Sequence, residues 1–113
     1  MAAITTAHLL YVLRRVCNHS ALVHYIEERI LDIDILHVRV HLTMPETFIN
    51  IYYTLETDKT AFALVQTERR VYGVDNAKTG WHRHPFTDPD RHIICSPVTF
   101  SEFLRAVEKY FND

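Results

Sequence analysis

The sequence predicts an α+β fold in which an antiparallel sheet is covered on one face by an N-terminal and a C-terminal helix. Apolar residues recur at helical spacing near both ends of the chain, and the middle shows the strict alternation typical of half-buried strands. Short turns such as MPET and ETDK separate the alternating segments. We therefore expect a β-meander of four to five strands between two helices, folded as a single domain over residues 1–113.

The first predicted element is a helix that begins near Thr6. Thr5 or Thr6 is a suitable N-cap, Asn18 a suitable end, and one face carries the apolar residues Leu9, Leu10, Leu13, Val16 and Cys17. The next segment, ALVHYIEERILDID, is ambiguous. Its β-branched residues favour a strand, whereas IEER would also suit a short helix, and we favour the strand.

Four alternating segments follow, LHVRVHLT, FINIYYTL, TAFALVQ and RRVYGV, and each predicts a strand with one face in the core. The last element is a helix whose apolar face comprises Phe100, Phe103, Leu104, Val107, Tyr110 and Phe111. Thr99 and Glu102 form a T-x-x-E capping box that marks its start.

Composition excludes several classes of protein. A formal charge of −2 argues against a protein that coats nucleic acid through a uniformly basic surface, although local basic patches are compatible with it. No stretch approaches the roughly 18 apolar residues of a membrane helix, and MAAITTAHLLYVLRR lacks the layout of a signal peptide. We expect a cytoplasmic protein with no membrane partner.

Three of the eight histidines fall in WHRHPFTDPDRH, within a polar segment of about twenty residues that we predict to be a loop. His82 and His84 are two residues apart and would project from the same side of an extended backbone. Together with Asp75 they could bind a divalent metal such as zinc, and no other cofactor is expected. The more ordinary interpretation is that these histidines only hydrogen-bond the backbone of the loop.

A second chemical interpretation is metal-free cleavage of RNA. His82, His84 and His92 are the acid–base candidates, and Asp75 would orient an imidazole unless it only forms an Asx turn. The candidate phosphate contacts are Arg69, Arg70, Lys78 and Arg83. Tyr72, Trp81 and Phe86 would stack on bases, with Asn76 as a further substrate contact, although the more ordinary interpretation of each aromatic is a packing residue under the loop.

The polar face of LHVRVHLT carries His37, Arg39 and His41. This pattern first indicates a solvated sheet face, but the same residues could floor a groove. Phe48 and Tyr52 lie on the less buried face of the next strand, so the sequence also predicts a homodimer formed through that face or through a strand edge.

Residues 36–111 resemble the TumE-type toxin family of prokaryotic toxin–antitoxin systems. The matching residues are Arg69, Tyr72, Asp75, Asn76 and Ala77 in RRVYGVDNA, His82, His84 and Pro85 in WHRHP, and the segment VTFSEFLRAVEKYF. The chain differs from the family in having AKTGWHRHP where members have several adjacent histidines and prolines. It also has Gly73 and Val74 where an Arg-Trp or similar pair commonly precedes the aspartate.

The resemblance implies a small α+β protein encoded beside a DNA-binding antitoxin, with toxicity through RNA cleavage. It carries over Asp75, Asn76, His82 and His84 as candidate site residues. Our leading prediction is thus a toxin-like ribonuclease or RNA-binding protein with RNA as substrate and an antitoxin protein as partner. The alternative is a non-catalytic module that binds a metal or a protein and forms a dimer.

Overall fold

A computed structural model describes residues 5–77 and 80–112 of the chain. The elements run in the order α1 (Thr6–Cys17), β1 (Val23–Leu31), β2 (Ile35–Leu42), β3 (Thr47–Thr54), β4 (Lys59–Gln66), β5 (Arg69–Asp75), β6 (His82–His84), β7 (Ile93–Ile94) and α2 (Phe100–Asn112). The strands form one antiparallel sheet in sequence order. The predicted α+β meander with two terminal helices is confirmed.

The predicted strand number of four to five is wrong, because the sheet has seven strands. The additional strands β6 and β7 are three and two residues long and lie in the segment predicted as one polar loop. An alternation of period two cannot be recognised over so few residues. The ambiguous segment after α1 forms the edge strand β1, not a helix.

Both helices pack on one face of the sheet, where the hydrophobic core lies. Phe103 of α2 places its ring 5.5 Å from that of Phe62 and 5.1 Å from that of Tyr72. The most deeply buried side chains on both sides of this contact are Leu13, Leu36, Val38, Val40, Ile49, Ile51, Leu64, Val74, Phe103 and Val107. Burial of this apolar surface is the main force that holds the helices on the sheet.

Both helix starts have the caps that the sequence predicts. Thr5 Oγ1 accepts the hydrogen bond of His8 N at 3.1 Å, so Thr5 is the N-cap of α1. In α2 the Thr99 hydroxyl accepts from Glu102 N at 3.2 Å, and Glu102 Oε1 accepts from Thr99 N at 3.0 Å. This reciprocal pair is the predicted capping box. Within the described ranges, no helix has the length and apolar content needed to cross a membrane.

The opposite face of the sheet, called the open face below, carries the side chains that alternate with the core residues. Strand pairing arranges them in three rows across the sheet. The first row is Tyr25, His41, Phe48, Val65 and Arg70; the second is Glu27, Arg39, Asn50, Ala63, Gly73 and His84; the third is Ile30, His37, Tyr52, Ala61, Asp75 and His82. The histidine-rich segment thus lies at one end of this face.

Candidate active site

Asp75 and two histidines meet where β5 pairs with β6 on the open face. The register sets Asp75 opposite His82 and Gly73 opposite His84, so that His84 lies diagonally across from Asp75. His84 Nε2 and Asp75 Oδ2 are 3.0 Å apart. The His84 side chain is only 4% exposed, and that of Asp75 is 24% exposed. A charge-assisted hydrogen bond in such a sheltered position holds the imidazole in one orientation.

The two oxygens of the Asp75 carboxylate contact different partners. Oδ1 accepts from the backbone N of Ala77 at 3.0 Å, which forms the Asx turn that ends β5. Oδ2 faces His84. The two interpretations that the sequence left open for Asp75 are therefore compatible, because the turn fixes the carboxylate that orients the histidine.

The second nitrogen of His84 faces an arginine. Nδ1 lies 3.5 Å from Arg70 Nη2, a long contact, and the same Nη2 donates to the carbonyl oxygen of Pro89 at 2.9 Å. A guanidinium only donates, so Nδ1 must present its lone pair and the ring hydrogen sits on Nε2, directed at Asp75. His84 thus has both nitrogens engaged by its neighbours, and Arg70 ties the 85–92 segment to the sheet.

A β-bulge brings Arg70 to this face. Leu64 pairs with Tyr72 and Val65 pairs with Arg70, which leaves Val71 as the extra residue in β5. Without it, Arg70 and Tyr72 would share a face because they are two residues apart. With it, Tyr72 enters the core, whereas Arg70 reaches His84.

His92 completes the cluster from the segment that leads into β7. Its ring lies edge-on to that of His84, with centroids 4.5 Å apart, and edge-on to that of His82, with centroids 5.9 Å apart. His92 is exposed and His82 is half-buried, whereas His84 is buried. The three imidazoles therefore run from the buried His84, bonded to Asp75, to an imidazole that a ligand can reach.

Gly73 is a member of the site that sequence reasoning did not assign. A Cβ at this position would lie 3.3 Å from Arg70 Cδ and 3.5 Å from His84 Cδ2. The missing side chain lets both residues lie close over the strand. A glycine in a strand interior is a general signal of such close approach, and this signal was available in RRVYGV.

Several predicted substrate contacts lie away from the cluster. Tyr72 is buried on the helix side, where its ring stacks on Phe86 at 4.1 Å between centroids. Arg83 pairs with Val74 and so faces the helix side as well. Trp81 packs against the core beside α1 and the start of α2. These three are directed away from the open face because they alternate with residues that occupy it.

Asn76 and Arg69, two further predicted substrate contacts, also lie outside the cluster. Asn76 clamps the β3–β4 turn: its Oδ1 accepts from Thr60 N at 2.7 Å, and its Nδ2 donates to the Asp58 carbonyl at 2.8 Å. Arg69 is exposed at the start of β5. Lys78 lies outside the described residues.

The predicted metal ligands do not assemble into a metal-binding geometry. Across residues 5–77 and 80–112, no group of three or more His, Cys, Asp or Glu side chains is arranged to hold a metal ion. Asp75 Oδ2 and His84 Nε2 are directed at each other and not at a shared centre. The cluster is joined by the hydrogen bond between Asp75 and His84 and by the edge-on ring contacts of His92 with His84 and His82.

Comparisons of the chain with protein-family models, with curated proteins and with solved structures found no match. The resemblance to the TumE-type toxin family therefore stays a prediction. The function has to be argued from the chemistry of the cluster.

Proposed function

We propose that the protein cleaves single-stranded RNA at the cluster of Asp75, His82, His84 and His92. The observation that carries this proposal is the continuous contact from the half-buried Asp75 carboxylate through the buried His84 to the exposed His92, with Arg70 beside it. RNA supplies its own nucleophile, the 2′-hydroxyl. A protein that cleaves RNA therefore needs a base, an acid and a cation, and the cluster offers all three.

His92 and His82 flank the place where a phosphodiester would bind. In our proposal His92 accepts the proton of the 2′-hydroxyl, whose oxygen attacks phosphorus, and the bond from phosphorus to the 5′-oxygen breaks. His82 gives its proton to that leaving oxygen. The products are a 2′,3′-cyclic phosphate and a free 5′-hydroxyl, and the two imidazoles have exchanged protonation states. Their ring centroids are 5.9 Å apart, which leaves both within reach of one phosphodiester.

His84 and Asp75 act as positioning residues in this scheme. Both nitrogens of His84 already have neighbours, so its role is to hold His92 by ring contact and Arg70 by its lone pair. Arg70 uses Nη2 for the Pro89 carbonyl, and a guanidinium has further N–H groups to direct at the charge on phosphorus. The negative charge that develops there is what a fixed cation stabilises most.

The same proposal includes a cellular location and a protein partner. RNA cleavage would take place in the cytoplasm, and a toxin-like protein needs an antitoxin that blocks it. The open face is the surface such an antitoxin would have to cover, because it carries the cluster.

A labelled oligonucleotide tests the reaction directly. Single-stranded RNA of mixed sequence, incubated with the protein and EDTA from about pH 5 to pH 8, should be cut to products that end in a 2′,3′-cyclic phosphate. DNA of the same sequence should remain intact because it lacks the nucleophile. Intact RNA at every pH, or equal cutting of RNA and DNA, would contradict the proposal.

A second candidate function is self-association through β1, and the exposure of this strand favours it. β1 is the edge of the sheet, and exposed apolar side chains lie on it or just after it: Tyr25, Ile30, Leu31 and Ile33. Light scattering should show a dimer that Ile30→Lys, a charged substitution typical of protected edges, converts to monomer. A wild-type protein that stays monomeric at every concentration would exclude this association.

A further inference from the structure

The open face concentrates groups that bind polyanions. Of the eight histidines in the chain, His37, His41, His82 and His84 lie in its three rows. The ring of His92 lies edge-on to that of His84. The rows also contain Arg39 and Arg70, and their acidic residues are Glu27 and Asp75. Each of these acids is hydrogen-bonded to a histidine, Glu27 to His41 at 2.8 Å and Asp75 to His84 at 3.0 Å.

The centre of the open face carries small side chains and is therefore recessed. Ala61 and Ala63 occupy neighbouring positions on β4, and Gly73 lies next to Ala63 on β5, beneath Arg70 and His84. Tyr52 and Asn50 border them on the β3 side, and the histidine cluster borders them on the β6 side. Adjacent strands are spaced by about 4.8 Å, so Tyr52 lies about 10 Å across the sheet from Asp75. The result is a shallow trough, floored by small side chains, that leads away from the cluster.

Aromatic and amide groups line the far side of the trough. Tyr52 is half-buried, and its ring centroid lies 5.8 Å from that of His37. His37 Nε2 and Asn50 Oδ1 lie within hydrogen-bond distance at 2.7 Å, and the NH₂ group of the Asn50 amide is a donor for a further partner. Unstacked bases of single-stranded RNA are commonly held on aromatic side chains of an open sheet face and by donors of this kind.

Arg39 is held beside this site by stacking. Its guanidinium lies over the Phe48 ring, 4.6 Å from the centroid. Among the described residues its Nε is buried without a hydrogen-bond partner. The Phe48 contact therefore supports the flat guanidinium, which presents a cation on the same side of the trough as Tyr52.

We propose that the open face binds the RNA strand that the cluster cuts. The strand would cross β5, β4 and β3 from the histidine cluster, with one base stacked on Tyr52 and its backbone near Arg39 and Asn50. This inference rests on the proposed RNA cleavage and gives Tyr52 a role other than the dimer contact that the sequence predicts. The trough accommodates the strand because its floor has no large side chains.

Binding of a single-stranded 2′-O-methyl RNA, which cannot be cleaved, tests the surface by fluorescence anisotropy. Tyr52→Ala should raise Kd roughly 5- to 150-fold, the usual loss for one stacked base. Tyr52→Phe keeps the ring and should bind like the wild type. The matched control is Tyr11→Ala, because Tyr11 is exposed on α1 and should not affect binding. Ala63→Leu fills the trough and should also raise Kd, with its folding checked by circular dichroism.

Cleavage measurements separate this inference from the proposed function. At subsaturating RNA, Tyr52→Ala should lower the cleavage rate by the same factor by which it raises Kd, whereas Tyr11→Ala should cut at the wild-type rate. If the wild type cuts RNA but Tyr52→Ala and Ala63→Leu bind it normally, the open-face inference is wrong and the cleavage proposal stands. If the wild type binds RNA in a Tyr52-dependent way but never cuts it, the cleavage proposal is wrong and the binding surface stands. A Tyr52→Ala variant that changes only the oligomeric state would assign the face to a second copy of the chain and overturn the inference.

Discussion

Asp75 and His84 are joined across two adjacent strands by a hydrogen bond of 3.0 Å between Oδ2 and Nε2. The bond lies on the open face at the point where β5 ends, and the His84 ring is almost completely buried. Because Arg70 faces the other nitrogen of the ring, the pair fixes a single tautomer. His92, which packs against His84, thus has a rigid support although it is itself exposed.

Asp75→Asn tests whether this pair has a positioning role. The amide keeps the shape and one acceptor oxygen but loses the charge. We expect the single-turnover cleavage rate to fall about 10- to 100-fold, the usual effect of losing a group that orients a functional histidine, with Kd for RNA unchanged. The nitrogen chemical shifts of His84 should report the Nε2–H tautomer in the wild type and a mixture in the variant. An unchanged rate with an unchanged tautomer would argue against a positioning role.

Gly73→Ala tests the close approach of Arg70 and His84. The new methyl group would lie 3.3 Å from Cδ of the Arg70 stem, which has to shift slightly, and 3.5 Å from Cδ2 of His84, an ordinary van der Waals distance. Mild overpacking and the lower entropy of the unfolded chain oppose each other, so the free energy of unfolding should change by no more than about 1 kcal/mol. Cleavage should nevertheless fall, because the displaced Arg70 side chain belongs to the site. Urea titration and the cleavage assay on one sample measure both effects. Ala61→Gly, a change of the same size on the neighbouring strand, is the control.

Two substitutions in the β4–β5 turn are predicted to stabilise the protein. Thr67 and Glu68 form a two-residue hairpin loop in which both residues have positive φ, 52° and 66°. A β-branched residue is strained in that region, and Asn-Gly is the preferred sequence for such a turn. The double change Thr67→Asn with Glu68→Gly should raise the free energy of unfolding by about 1 kcal/mol. Thermal unfolding checks it, and a lower melting temperature would show that the turn is not strained.

The two cysteines should differ in reactivity and in their effect on alkaline stability. Burial raises the pKa of the Cys17 thiol from its ordinary 9.0 to about 11. Cys95 is half-buried, so iodoacetamide should label it in the folded protein while Cys17 reacts only after unfolding.

The unfolded chain ionises Cys17 at lower pH than the folded chain does. The contribution of Cys17 to stability is thus complete below pH 9 and is lost as the pH rises toward 11. Cys17→Ser should remove this component of the alkaline loss, and equal labelling of both thiols would contradict the expectation.

The sequence predicts most of the fold because periodicity extends over long segments. Both helices, their caps and strands β2 to β5 follow patterns of seven residues or more. Strands β6 and β7 are too short to show a period, and β6 is what carries His82 and His84. The pairing of β6 with β5 and of β7 with β6, and not local propensity, makes them strands.

The acidic and basic side chains of the site could be predicted, but Gly73 was not assigned to it and the arrangement of the side chains could not be predicted. Asp75, His82, His84 and His92 are conspicuous by residue type, yet residue type does not show that the Asp75 carboxylate bonds His84, which lies diagonally across from it in the register of β5 with β6. The bulge at Val71 sends Arg70 and Tyr72 to opposite faces, which simple alternation excludes. For this reason the predicted stacking residue Tyr72 lies in the core.

The most direct test of RNA cleavage by this cluster is the single-turnover rate of His92→Ala on single-stranded RNA in the presence of EDTA. His92→Ala should lower the rate by a factor of about 10² to 10⁴, since it removes the accessible proton acceptor. His19→Ala is the matched control, because His19 is exposed at the end of α1, and it should leave the rate unchanged. If His92→Ala cuts RNA as fast as His19→Ala, the cluster is not the active site.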